Sequence, residues 1–157
     1  MEITLDRTDR RILQELQRDG RLSNQELADR VSLSPSPCLR RVKRLEASGI
    51  IQRYVAVLDA EKIGLGLVAY VNIRLRKHSG VGHEPMESFR RDVQRWPEVA
   101  ACYAMTGDMD YLLRIQVRDL AHFSHFAMNT LMQHPSVVDM RSSFALQKIK
   151  ENGELAL

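Results

Sequence analysis

Apolar residues recur along the first third of the chain at helical spacing. Leu5, Ile12, Leu13 and Leu16 fall on one face of a segment from about Asp6 to Gln17, and Gly20 lies just beyond it as a terminator. A second helix is predicted to start at Ser23. Ser23 and Glu26 have the spacing of a capping box, in which the hydroxyl accepts the third residue's N–H and the carboxylate reaches back. Leu27, Ala28 and Val31 give this helix a short apolar stripe, and the run Ser32-Leu33-Ser34-Pro35 must break it. A third helix is predicted from Ser36 as N-cap and Pro37 as first helical residue, with Gly49 just past its end. Cys38, Val42 and Leu45 recur at i, i+4 and i+7 and are expected to face inward.

Beyond Gly49 the pattern changes. Residues 50–58 are rich in β-branched side chains and read as an extended wing or hinge strand, and Asp59–Gly64 reads as a capped helical turn. From Leu67 to Leu75 the chain alternates. Ala69, Val71, Ile73 and Leu75 share one face, while Tyr70, Asn72 and Arg74 share the other, as in a half-buried strand. The loop Lys77–Glu84, with Gly80 and Gly82, leads to a helix near Pro85–Arg95 whose stripe is Met86, Phe89 and Val93, with Trp96 beside it. Val99–Met105 reads as a strand, Thr106–Asp110 as a turn, and Tyr111–Val117 as a strand with Tyr111, Leu113, Ile115 and Val117 on one face. Asp119 is placed to cap a helix running to about Gln133, with Phe123, Phe126, Ala127, Thr130 and Leu131 inward, and Val137–Lys148 closes the chain as a last strand.

Three helices followed by βαββαβ predict an α+β protein: a helix-turn-helix unit ahead of a ferredoxin-like sandwich. The expected boundaries are 1–53 for the first domain, 54–66 for the hinge, and 67–157 for the second. The chain of 157 residues, 44% apolar, can bury a core in each. One face of the sandwich lacks a cover, and a homodimer built sheet to sheet would supply it.

Charge sharpens this picture. Residues 1–58 hold 11 Lys/Arg against 8 Asp/Glu, whereas residues 59–157 hold 12 of each, so the net charge of +3 sits in the first third. Within Ser34–Arg53, Arg40, Arg41, Lys43, Arg44 and Arg53 face Glu46 alone. A short charge run is commonly no more than a solvated helix face. On the second helix of a helix-turn-helix it is the footprint of phosphate binding. Ser34, Ser36 and Pro37 at the helix start are expected nearest the base edges, and the free N–H groups of that helix end favour a phosphate oxygen. Arg40 and Arg41 are placed to fork onto guanine or grip phosphate, and Lys43 and Arg44 to touch the backbone.

Other classes find little support. Asp108 and Asp110 form only a DxD, with no His or Cys at ligand spacing. His122 and His125 share a helix face without a third ligand nearby. No nucleophile motif or phosphate loop is present, so an enzyme, a metal site and a cofactor are not expected. An RNA-binding sandwich would stack bases on sheet aromatics, but the strand Phe and Tyr residues here do not form that signature and the second domain has no net positive charge. Cys38 and Cys102 belong to no CxxC pair and are expected to be free and buried. The start Met1–Asp6 shows no basic region ahead of an apolar stretch, and no run spans a bilayer, so a cytoplasmic location is expected.

Four segments together resemble the Lrp/AsnC ("feast/famine") transcription regulators, and the likeness extends over essentially the whole chain. They are Leu5–Leu13 (LDRTDRRIL), Leu33–Val42 (LSPSPCLRRV), Leu45–Ile51 (LEASGII) and Thr106–Leu113 (TGDMDYLL). The likeness is closer to the leucine-responsive branch than to the asparagine-responsive one. It implies a winged helix-turn-helix joined to a RAM-type ligand-sensing domain. It also implies dimers that assemble further, to an octamer, and a free amino acid such as leucine or methionine held in clefts between dimers.

By the same resemblance the effector would be gripped by the turn Thr106–Tyr111 and the junction Pro135–Ser142. The residues so implied are Met105, Thr106, Gly107, Asp108, Asp110, Tyr111, Val137, Asp139 and Ser142, with Asp110 matching an effector-response position. The stretch Val81–Pro85 departs from the family pattern. Chemically, N–H groups around Gly107 suit a carboxylate, Asp108 or Asp110 suits an ammonium, and Met105 and Val137 suit an apolar side chain. Gly and Asp also favour turns for local reasons, and for these residues taken alone that reading suffices. The competing function is an architectural protein that wraps DNA and responds to no effector.

Overall fold

A computed structural model describes residues 4–77, 85–150 and 153–157. The chain forms two compact units, one of residues 1–57 with 149–157 and one of residues 58–148. The loop expected over Lys77–Glu84 lies outside the described residues except for Lys77, and so does the stretch Val81–Pro85 except for Pro85.

The first unit holds three helices, α1 (Arg7–Arg18), α2 (Asn24–Val31) and α3 (Pro35–Ala47). Two of them begin with a closed capping box. In α1, Asp6 accepts the N–H of Asp9 at 2.8 Å, and the Asp9 carboxylate accepts the N–H of Asp6 at 3.2 Å. In α2, Ser23 Oγ accepts from Glu26 N–H at 3.2 Å and Glu26 returns the bond at 2.8 Å, as its sequence predicts.

Helix α2 ends at Ser32, whose φ of 59° is left-handed. Ser32 N–H bonds to Asp29 O at 3.2 Å and Leu33 N–H to Ala28 O at 2.9 Å, the paired bonds of a Schellman stop. This stop corrects the expected start of α3. The N-cap is Ser34 with Pro35 as first helical residue, and not Ser36 with Pro37. Two Ser-Pro pairs stand in tandem and satisfy the same local rule. Once the Schellman stop has turned the chain at Ser32, the helix starts at the first of them. Pro37 is tolerated inside because first-turn N–H groups need no helical partner. Gly49 takes φ 77° past the helix end, the left-handed conformation expected there.

Ile12, Leu13, Leu27, Ala28, Val31, Cys38 and Leu45 form the core of this unit, with Val42 at its edge. Full burial of each large aliphatic side chain contributes roughly 1.5–3 kcal/mol. The C-terminal tail, expected with the second domain, groups with this unit. The Gln17 amide donates to Leu155 O at 3.1 Å and accepts from Leu155 N–H at 2.6 Å, as a neighbouring strand would.

Residues 52–59 carry no ladder hydrogen bonds, so the strand expected over residues 50–58 is not formed. Its β-branched composition is suited to pairing, but no described strand lies beside it. Asp59 caps the predicted turn by accepting Lys62 N–H at 3.2 Å.

The second unit has the order β1 (Leu67–Leu75), α4 (Pro85–Val93), β2 (Val99–Ala104), β3 (Tyr111–Val117), α5 (Leu120–Phe126) and β4 (Val137–Phe144). The sheet runs β2-β3-β1-β4, antiparallel throughout. This is the ferredoxin-like sandwich of the sequence reading. Asp119 caps α5 by accepting His122 N–H at 2.8 Å. The helix then loosens into a π-helical turn over Ala127–Leu131, which no sequence pattern announced.

The predicted parity holds. Ala69, Val71, Ile73 and Leu75 of β1, and Tyr111, Leu113, Ile115 and Val117 of β3, are buried under Phe89, Val93, Phe123, Phe126 and Leu131. Phe89 sits among Trp96, Tyr111 and His134 with ring centroids 5.0–5.7 Å apart. Both cysteines are free; Cys38 is buried and Cys102 half-buried.

Candidate nucleic-acid interface and ligand cleft

Each residue of a helix turns the side-chain direction by about 100°. On α3 that places Cys38, Val42 and Leu45 inward and Ser36, Arg40 and Lys43 on the opposite face. The exposures agree: Cys38 and Leu45 are fully buried, and Ser36, Arg40 and Lys43 are exposed. Pro37, Arg41 and Arg44 form a flanking row between these faces. Neither Arg40 nor Lys43 makes a hydrogen bond or ion pair among the described residues.

The flanking row is occupied differently. Arg41 donates to Asp6 Oδ2 at 2.6 Å and to Asp9 Oδ1 at 2.8 Å. Arg44 donates to Asp9 Oδ2. Asp9 is completely buried, and every bond its carboxylate makes ties α1 to its own cap or to α3. The Asp9 N–H and the Arg41 guanidinium hold the Asp6 carboxyl below its ordinary 3.8. The sequence assigned no site role to Asp6, Asp9 or Asn24. The spacing Asp6-x-x-Asp9 was a legible capping signal, but the crossing to Arg41 was not.

The start of α3 is open. The Ser34 side chain makes no capping bond. Pro35 and Pro37 have no N–H, and Cys38 N–H is taken by Ser34 O at 3.2 Å. Of the several free N–H groups expected there, the first turn keeps that of Ser36, which has no partner among the described residues. Asn24 Nδ2 donates to Pro35 O at 2.8 Å and so fixes where this open end lies against α2.

In the second unit the expected effector residues divide. The turn Met105–Asp108 is exposed, and Gly107 has φ 103°. Asp110 is already engaged. Its N–H bonds to Ile73 O at 2.8 Å, its O accepts Met105 N–H at 2.8 Å, and its carboxylate accepts Leu75 N–H at 2.7 Å beside the register shift in β1. Asp108 has no partner among the described residues. Tyr111 points into the core, 2% exposed, with its OH receiving Arg90 Nε at 2.8 Å. Val137 packs against that core. Asp139 lies on the other sheet face, 3.1 Å from Arg74, and Ser142 is exposed opposite Val71.

A cleft of about 530 Å³ opens beside Pro135 and Ser136, the start of the junction implied by the family resemblance. It is also lined by Arg76, Pro85, Ser88 and Arg91, and by none of the nine effector residues. His122 lies 3.5 Å from Glu98, and no cluster of three metal-ligating side chains occurs among the described residues. No helix among them is long and apolar enough to cross a membrane.

A helix-turn-helix with a cationic outer row, followed by an α+β sandwich, defines the class of DNA-binding transcription regulators that carry a ligand domain. Residues 5–52 match the model of the winged helix-turn-helix DNA-binding family, and residues 68–155 match that of the Lrp/AsnC ligand binding domain. The chain belongs to the Lrp/AsnC family, whose members are transcription regulators and not enzymes. It is 40% identical over 153 residues to the leucine-responsive regulatory protein of Escherichia coli K12, covering 98% of this chain and 92% of that protein.

Among solved structures, it is similar to transcriptional regulator NMB0573 of Neisseria meningitidis in complex with L-Met. That likeness has a TM-score of 0.92 and 48% identity, and covers 98% of this chain and 97% of the other. An AsnC family regulator from Agrobacterium tumefaciens aligns with TM-score 0.89 and 39% identity, over 97% of each chain.

Proposed function

We propose that this regulator reads duplex DNA through α3 and that its DNA binding or assembly responds to a free amino acid such as leucine or methionine. Residues 1–53 bind DNA, 54–66 act as hinge, and 67–148 sense and oligomerise, with the tail 149–157 packed on the DNA-binding unit. The observation that carries the DNA reading is the open row Ser34, Ser36, Arg40 and Lys43 on a helix whose opposite face is anchored in the core. The amino-acid reading is supported by the 48% identity to a protein crystallised with L-Met and by the match to a ligand-binding domain. Within that domain the turn Met105–Asp108 and the start of β4 are the proposed contact elements. Asp110 and Tyr111 shape them from behind.

The working unit is a homodimer that assembles further, to an octamer, in the cytoplasm. Exposed Val55, Val57 and Leu58, and Tyr70 and Tyr103 on the open sheet face, are apolar surface that a second copy would cover. A thermal-shift screen of the common amino acids tests the sensing claim. A ligand present at 100 times its Kd stabilises the native state by about 2.7 kcal/mol. Leucine or methionine is expected to raise Tm and to alter retention of duplex DNA. If DNA binding is unmoved by every amino acid, the effector-independent architectural reading is correct instead.

A further inference from the structure

The four cations of α3 are not equivalent. Arg40 and Lys43 project opposite the core stripe, with no bond among the described residues. Arg41 and Arg44, one step round the helix, reach back across 35 or fewer residues of sequence to a carboxylate that water cannot touch. A buried carboxylate is tolerated only when its oxygens are satisfied, and Asp9 needs both guanidiniums and the Asp6 N–H to be so. Releasing either arginine to a phosphate would leave that charge short of partners. The ion pairs also span the two helices that neither loop joins directly, α1 and α3, so they set how α3 is rolled about its axis.

We infer that Asp9 is a positioning residue for DNA reading: its buried carboxylate withholds Arg41 and Arg44 from the duplex and fixes the roll of α3 that presents Ser36, Arg40 and Lys43. The inference rests on the proposal that α3 is the reading helix. It divides the basic patch into cations that meet DNA and cations that aim them. A patch of four then behaves, toward phosphate, as a patch of two. With the charge on Asp9 removed, Arg41 and Arg44 swing outward. The protein then gains phosphate contacts while losing the alignment that distinguishes one sequence from another.

The test uses the full-length protein. A consensus duplex is first selected from a randomised 40-bp pool with the wild-type chain, and a scrambled duplex of equal composition is the control. Each phosphate contact contributes about 0.9 to the slope of log K against log salt. Asp9→Asn is expected to steepen the slope on the scrambled duplex by up to about 1.8 per protomer and to cut the consensus-to-scrambled affinity ratio about tenfold. A fold damaged without any positioning role would lower Tm and affinity but would not steepen the slope. Arg40→Gln and Lys43→Gln are each expected to flatten the slope by about 0.9, whereas Arg41→Gln and Arg44→Gln leave it within about 0.3.

If Asp9→Asn fails to fold, the four glutamine variants decide alone. Equal flattening by Arg41→Gln and Arg40→Gln overturns the inference while leaving α3 as reader. No flattening by Arg40→Gln or Lys43→Gln overturns the reading of α3 itself. An unchanged or shallower slope in folded Asp9→Asn also overturns the inference.

Discussion

The starts of α1 and α2 differ from the start of α3. The first two are closed by reciprocal capping boxes, Asp6 with Asp9 and Ser23 with Glu26. The third begins on Ser34, which caps nothing, followed by two prolines and one spare N–H. A helix start that serves only the fold satisfies its donors within the chain. One that serves a partner can leave them open, and the cost is offset by solvent until the partner arrives. On the proposal that α3 reads DNA, the contrast between closed and open ends separates the scaffold from the reader within a single small unit.

The comparison can be broken most forcefully at the core that supports all three helices. Leu45→Ala removes a fully buried side chain from α3, and about 2–5 kcal/mol of stability should go with it. Denaturant titration checks this; a loss below about 1 kcal/mol would mean that α3 is not anchored by its apolar stripe.

Next in size is the capping contrast itself. Ser23→Ala should cost about 1 kcal/mol, because it opens the box of α2, without altering intrinsic DNA contacts. Ser34→Ala should change stability by less than about 0.5 kcal/mol, because no capping bond is lost, yet weaken retention of duplex DNA. Paired measurements of Tm and DNA affinity sharpen or erase the distinction. In the second unit, Gly107→Val should strain a turn whose φ is 103° by roughly 1–2 kcal/mol and abolish the amino-acid response while the dimer persists. Calorimetry showing undiminished amino-acid binding would misplace the contact turn.

The smallest expected effect is a pH dependence. Asp9 N–H and Arg41 hold the Asp6 carboxyl below 3.8, and Ser23, through its hydroxyl and its N–H, holds that of Glu26 below 4.5. Native values lower than unfolded ones mean that these groups stabilise fully above 4.5. Their contribution is then lost as pH falls through the lowered native values. Thermal melts should therefore show Tm level above about pH 5 and falling below about pH 4, with the fall reduced in Asp6→Asn. An acid limb of equal depth in that variant would show that the caps do not contribute to it.

Much of this architecture was legible because its signals are local. Alternation in Ala69–Leu75 and Tyr111–Val117 gave the strands and their buried faces, and Ser23-x-x-Glu26 gave the second helix start. The errors arose where two local rules tied or where a distant partner decides. Ser34-Pro35 and Ser36-Pro37 fit the same cap pattern, and only the turn geometry at Ser32 selects the first. Residues 50–58 have strand chemistry, yet a strand also needs a neighbour.

The site was harder to read than the fold. Parity places Tyr111 on the core face, turned away from a direct contact with a ligand. The engagement of Asp110 with Leu75 and of Asp9 with Arg41 and Arg44 joins residues more than thirty positions apart, which no period in the chain encodes.

The account turns on the outward row of α3 lying against a duplex. Titrating a 40-bp duplex into 15N-labelled protein and following backbone amides tests this directly. The account predicts that the Ser36 amide, the spare donor of the first turn, shifts furthest, with Arg40 and Lys43 moving alongside it and β1–β4 nearly still. Shifts centred on the sandwich with Ser36 and Arg40 unmoved would contradict it.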